Sequence, residues 1–415
     1  MDCVARSPRA RSFNERPRAR LRALWPLFAA LGSALFVLVS AADAQAYSWM
    51  IRHGQGNCSN CHADPSGGET LTLRGRMESA RLLDMQYGEP KEGTPRSAGF
   101  LWGLIAPDDP VLGGGSRLLL GGSLRVLSVT EPATRDFSAF PMQLDAYGEL
   151  KVGALRAGGS LGVARAKAGS PHIRAAQVTT NQGEEMNLIS RTHYLGYDVS
   201  PGVLIRAGRL NLPFGVRVPE HVLWTREATQ TDRESDQQHG LAVAFTTGAL
   251  RGELMAIAGN YQVNPDDFRE RGYSGFAEYF ATPKLALGVS SLVTHAKADR
   301  LTNVAEETTR GAHGVFARAG VTRELVLLAE LDLLHRSRRD LGYTGFIQAD
   351  YELIQGLHLG ATGELLSSGD EGRDASLGGW LSVIWHFLPH LDMRVDGLLR
   401  QGAEAQILTQ LHAYL

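Results

Sequence analysis

Cys58-Ser59-Asn60-Cys61-His62 is the stretch whose residue types and spacing most directly suggest chemistry. Two thiols two residues apart, with a histidine directly behind them, form the pattern that attaches a c-type haem. The thiols of Cys58 and Cys61 would add to the two vinyl groups, leaving His62 beneath the ring as the proximal iron ligand in its neutral imidazole form. A redox dithiol or half of a zinc site would use some of the same residues. A dithiol has no need of the trailing histidine, and a zinc site would need a second cysteine pair, whereas the remaining cysteine is the solitary Cys3. The expected cofactor is one covalent haem c. For the distal iron position the sequence offers Met77, His53 and Met85, or an open, water-bound site. A methionine would raise the potential relative to a second histidine, but methionines on apolar faces are ordinarily packing and His53 could simply face water.

The elements around this motif must export it, fold it and dock it. Arg6, Arg9, Arg11, Arg16, Arg18, Arg20 and Arg22 precede an apolar run at 27–39, and Ala42-Asp43-Ala44 and Ala44-Gln45-Ala46 both fit a cleavage site. Residues 1–46 thus read as a secretory signal peptide, because the apolar run falls short of the roughly 20 residues a spanning helix needs. Export suits the motif, since haem c is attached outside the cytoplasm. Residues 47–110 read as a small, helical or irregular monohaem cytochrome segment. Tyr47, Trp49, Met50 and Ile51 are available to pack on a haem, Asp64-Pro65-Ser66-Gly67-Gly68 is a turn, and the spacing predicts a helix over 69–85 with Leu73, Met77 and Ala80 on one side. So short a segment cannot bury a core of its own and must lean on its cofactor or on a larger body.

Residues 111–415 change to a period of two. Leu325, Leu327, Ala329, Leu331 and Leu333 alternate with Glu330 and Asp332; Ile347, Ala349, Tyr351 and Leu353 alternate with Gln348, Asp350 and Glu352. One apolar and one charged face is the alternation of membrane barrel strands, lipid outside and polar lumen inside. Short turns at Ser200-Pro201-Gly202, Gly248-Ala249, Thr282-Pro283-Lys284, Thr322-Arg323, Gln355-Gly356 and Leu388-Pro389 alternate with longer polar stretches at 168–189, 212–238, 261–272, 297–310, 337–342 and 368–375. The expected fold is all-β, a transmembrane antiparallel β-barrel of about 16 strands in a bacterial outer membrane. A soluble sandwich would alternate too, but without the systematic short and long connections. The last strand ends Ile407, Thr409, Leu411, Ala413, Leu415, as an apolar closing strand should.

The longest loop follows Gly208-Arg209-Leu210-Asn211-Leu212-Pro213-Phe214-Gly215 and carries Glu220, His221, Arg226 and Arg233. It reads either as a lumenal constriction or as a solvated loop. Asp266-Asp267, Glu306-Glu307, Asp370-Glu371 and Asp374 suit hard cations by chemistry, though loop acids ordinarily face water. A formal net charge of −2 makes no case for nucleic acid.

A leader, one Cys-x-x-Cys-His behind it, and then a barrel: this order resembles the fused monohaem cytochrome–porins of bacterial outer membranes. Trp49-Met50-Ile51-Arg52-His53 matches the aromatic and basic approach to the haem in that family, with Arg52 fitting its arginine; the family's proline is absent and the spacer to Cys58 is shorter. The resemblance implies haem attachment by Cys58 and Cys61, ligation by His62, an extracellular donor such as Fe(II), and a periplasmic c-type cytochrome as acceptor: a ferrous-iron:cytochrome c oxidoreductase. A porin for small polar solutes, with the haem segment as an accessory or redox-sensitive plug, is the alternative.

Overall fold

A computed structural model describes residues 48–85, 101, 104–106, 109, 117–165, 175–180, 186–262, 269–299, 305–370 and 374–415. The leader at 1–46, most of 86–116 and Asp266-Asp267 lie outside the described residues.

The strands are β1 (Leu118–Glu131), β2 (Asp136–Val152), β3 (Leu155–Arg165), β4 (Met186–Ile189), β5 (His193–Ser200) and β6 (Val203–Leu210). Next come β7 (Gln238–Thr247), β8 (Leu250–Gly259), β9 (Arg271–Thr282), β10 (Leu285–Ala296), β11 (Thr308–Gly320) and β12 (Leu325–Arg336). The last are β13 (Gly342–Ile354), β14 (Leu357–Ser367), β15 (Ser376–Leu388), β16 (Leu391–Arg400) and β17 (Gln406–Tyr414). Each pairs antiparallel with its neighbours, and β1 pairs with both β2 and β17, so the sheet has no free edge. Closure removes the open sheet edge that a membrane interior forbids. β4 and β5 both pair with β3. They are two halves of one stave, broken at 190–192, where the Ser160 hydroxyl accepts from the amides of Arg191 and Thr192 at 3.0 and 3.1 Å. The seventeen segments therefore make sixteen staves.

The alternation runs the way lipid requires. On β12, Leu331 and Leu333 are each 49% exposed while Glu330 and Asp332 between and before them are 3% and 0%. Tyr197, Tyr351 and Trp385 are exposed near one rim, Tyr273 and Tyr343 near the other, the aromatic girdles that bracket an apolar belt. Apolar outside and charge inside is the reverse of a soluble sandwich, and the belt places the protein in a bacterial outer membrane. Tight connections at 153–154, 201–202, 248–249, 283–284, 321–324, 355–356 and 389–390 share one end, with the first and last strands also terminating there. All six expected short turns are among them; the turn at 153–154 was not anticipated.

Chain enters the lumen. Residues 48–85 run inside the barrel and bind its wall through charges on inward-facing positions. Arg52 pairs with Asp350 and donates to the Glu324 carbonyl at 2.7 Å. Arg318 donates to the Gly56 carbonyl at 2.8 Å, and the Ser79 and Tyr414 hydroxyls share a 2.7 Å bond. Trp49, Met50, Ile51 and Leu83 pack with Phe276, Phe280, Phe316 and Trp380 from the wall in one apolar cluster. The segment thus borrows its core from the barrel, each large side chain contributing about 1.5–3 kcal/mol by burial. Its contacts with the turns at 321–324 and 355–356 put this core toward the short-turn end. The helix expected over 69–85 is shorter, Leu73–Glu78 with a wider turn at Ser79–Leu83. Gly68 and Glu69 have φ of 99° and 56°, a left-handed passage that no α-helix can include.

Candidate functional site

The Cys-x-x-Cys-His motif is held by short local devices. Cys58–Asn60 forms one 3-10 turn, capped by Asn57, whose side-chain oxygen accepts from the Ser59 amide at 3.2 Å. The chain then loops out through 63–70 and returns. The Ala63 amide donates to the Thr70 carbonyl at 3.0 Å, the Thr72 amide to the Cys61 carbonyl at 2.9 Å, and His62 bridges to Leu71. Thr72 caps the next helix by accepting from the Gly75 amide at 3.1 Å, and its hydroxyl donates to the Asn60 carbonyl at 2.8 Å. Gly75 permits that close return, since a Cβ there would lie 2.3 Å from the Cys61 carbonyl oxygen. Asp64 fixes the loop to the wall, bound by Arg206 at 3.1 Å and Asn211 at 3.1 Å. Burial opposes its ionisation, but Arg206 and Arg217 hold its pKa down to about 2.

Cys61 and His62 line a cavity that is partly continuous with solvent. Trp49, Leu83, Trp380 and Ile384 give it an apolar side; Arg125 and Arg217 line a polar one. The Nδ1 atom of His62 is buried without a hydrogen-bond partner among the described residues. Burial, reinforced by Arg233, pushes the His62 pKa down to about 4, so the ring is neutral at pH 7, the form that binds metal. Cys58 and Cys61 are both buried and neither is in a disulfide. The Cys58 sulfur is turned toward Gly67 and Arg251 of β8. Cys61, the His62 imidazole and the apolar wall suit a covalently held haem, whereas Cys58 does not line the cavity and would have to turn from Arg251 to attach one.

The structure does not bring the expected distal ligands to this cavity. His53 faces Glu352 at 3.7 Å. The Met85 sulfur accepts from the Trp385 indole at 2.8 Å, and Met77 sits half-buried on Leu73–Glu78. None of the three lines the space that His62 lines.

The loop at 211–237 folds inward, which settles it as a lumenal element. Arg226 donates to Glu330 of β12 at 2.5 Å, and the Val216 amide to the same carboxylate at 2.7 Å. The Trp224 amide donates to Glu364 at 2.9 Å and Arg310 to the Thr229 carbonyl at 2.6 Å. His221 lies between Arg125 (2.8 Å) and Asp232 (3.0 Å), and Glu220 pairs with Arg394 at 2.8 Å. Arg217 reaches the Ser66 hydroxyl at 3.0 Å and so ties the loop to the segment carrying the motif. Arg233 stacks close over Gly68. Glu330 lies on the lumenal face where the period of two places it; Glu364 was not singled out in the sequence, although the same alternation places it there too. Among the expected loop acids, Glu307 pairs with His295 at 3.0 Å, and Glu306 and Asp370 pair with Arg338 and Arg339. No cluster of three or more His, Cys, Asp or Glu side chains able to hold a metal ion occurs among the described residues.

No protein-family model matches the chain, and no curated protein does. Solved structures match its fold. OmpT of Vibrio cholerae with loop L8 deleted is 12% identical at a TM-score of 0.53, covering 72% of this chain and 99% of that one. OmpF of Salmonella typhi, solved as a complex with daunomycin, is 12% identical at 0.51, covering 72% and 97%. The outer membrane channel DcaP of Acinetobacter baumannii is 12% identical at 0.50, covering 72% and 97%. At such identities the likeness is one of fold: a closed, porin-like barrel.

Proposed function

We propose that this protein carries electrons through the bacterial outer membrane by way of one haem c held on residues 48–85. The observation that carries the reading is the position of Cys61 and His62 inside the barrel, on the wall of a partly apolar cavity, in a lumen occupied by two inward segments rather than left open. Each cysteine would attach by adding its S–H across a vinyl double bond, the sulfur to one carbon and the hydrogen to the other, with no oxidant needed. The bound group would supply a one-electron carrier. Everything else falls to the chain. Arg206 and Asn211 fix Asp64 and with it the motif loop. Trp49, Leu83, Trp380 and Ile384 keep water off one side of the cavity. The neutral His62 ring offers its lone pair.

The electron balance needs a donor and an acceptor. The resemblance to monohaem cytochrome–porins supports ferrous iron outside, losing one electron to become ferric, and a periplasmic c-type cytochrome gaining it. The site's bias toward the short-turn end, periplasmic in barrels of this class, suits the acceptor. A hydrocarbon core of about 30 Å then separates the far rim from the site, so the donor must reach into the lumen from the long-loop mouth. Purified haem-loaded protein mixed with ferrous iron should develop reduced haem bands; failure with every soluble or mineral donor defeats the reading.

A second reading is favoured by the fold, since DcaP is a channel: a porin for small polar solutes in which residues 48–85 act as a plug. Large, steady single-channel conductance from the haem-loaded protein would favour transport.

A further inference from the structure

We propose that His386, on the inner face of β15, is the second axial ligand of the haem that Cys58, Cys61 and His62 would hold. The inference rests on the haem reading above and adds a residue from the barrel wall to it.

Four histidines line the cavity: His62, His221, His386 and His412. Two are already committed through both ring nitrogens. His221 contacts Asp232 through Nδ1 and Arg125 through Nε2. His412 contacts Asp392 through Nδ1 at 3.0 Å and Ser123 through Nε2 at 3.1 Å. His386 is different. It is 3% exposed, and neither of its ring nitrogens has a hydrogen-bond partner among the described residues. A buried imidazole with both nitrogens unsatisfied is rare in native interiors and calls for a partner. His62 shows the same feature at Nδ1. The two rings thus line one cavity, one from the inserted segment and one from the wall.

The surroundings of His386 suit a ligand position. Alternation on β15 turns Trp380, Ile384 and His386 to the same inner face, so the imidazole ends a largely apolar strip that could cover a porphyrin. Its main chain is fixed on both sides: the His386 amide donates to the Gly356 carbonyl at 2.8 Å, and its carbonyl accepts from the Met85 amide at 3.0 Å. Trp49 packs beside the ring, centroids 6.0 Å apart. Ligation from the wall would make the haem a staple between segment 48–85 and the barrel, so that loading the cofactor locks the plug in place.

The test is spectroscopic and uses the full-length, haem-loaded protein. Wild type should show low-spin ferric iron with two nitrogen ligands by electron paramagnetic resonance. H386A should become high-spin and return to low-spin when imidazole is added. H386M, closer in volume and checked for barrel folding by its heat-modifiable migration, should gain the weak far-red sulfur-to-iron band and a higher potential. Covalent haem with an unchanged low-spin spectrum in both variants overturns the assignment and leaves the electron-transfer reading standing. A wild-type chain without covalent haem sinks both.

Discussion

Arg206 on the barrel wall binds Asp64 of the inserted segment at 3.1 Å and, with the same nitrogen, Glu253 of β8 at 2.5 Å. One buried guanidinium thus joins wall to wall and wall to plug. Removing it leaves two carboxylates facing each other in the interior, which costs about 3–5 kcal/mol for a broken buried pair. Arg206→Ala should loosen segment 48–85 and raise single-channel conductance above wild type; equal conductance would show that the plug is held by other means.

The inward loop makes a similar demand on Glu330. Its carboxylate accepts from Arg226 and from the Val216 amide, and Gly215, at a φ of 55°, lies so close that a Cβ would sit 2.1 Å from it. Glu330→Ala should destabilise the folded barrel by about 3–5 kcal/mol, because Arg226 is left buried and charged. The temperature at which heat-modifiable migration is lost reads this, and an unaltered temperature would count against the anchor.

Gly75 is the third test. A methyl group 2.3 Å from the Cys61 carbonyl oxygen must push helix Leu73–Glu78 off the motif, at about 1–3 kcal/mol of overpacking. Gly75→Ala should lower the yield of covalent haem per folded barrel, while substitution at exposed Arg74 on the same helix should leave it unchanged.

Docking of the inserted segment should depend on pH through Asp84. Burial, with the nearby Asp392 of β16 adding to it, raises the Asp84 pKa to about 8. The folded value lies above the unfolded value near 3.9. Its contribution is therefore fully present below pH ~4 and is lost as pH rises through about 8. The urea needed to expose segment 48–85 to protease should fall between pH ~5 and ~9 in wild type, and much less in Asp84→Asn. Parallel profiles for the two proteins would contradict the assignment.

The barrel was legible because its signal is local: Leu327, Leu331 and Leu333 against Glu330 and Asp332 needs only a dozen residues of context. The Cys58-to-His62 spacing is equally local. What the sequence concealed was pairing across long distances. The sequence placed its candidate iron ligands on the segment that carries the motif, yet none of His53, Met77 and Met85 lines the cavity, and wall residues Glu352 and Trp385 engage two of them. His386 is unremarkable on β15 until sheet closure brings its inner face to the same cavity as His62. Loop 211–237 could equally have been solvated; Glu330 and Glu364, from strands far along the chain, draw it inward. The predicted helix over 69–85 overran because the left-handed passage at Gly68 and Glu69 leaves no mark in apolar periodicity.

The central claim is that Cys58 and Cys61 carry a haem inside this barrel. Intact-mass measurement of the protein, purified from a host able to attach haem c, tests it most directly. One covalent haem per chain, absent from the Cys58→Ser, Cys61→Ser double variant, is the predicted result. A wild-type mass equal to that of the bare polypeptide would contradict it.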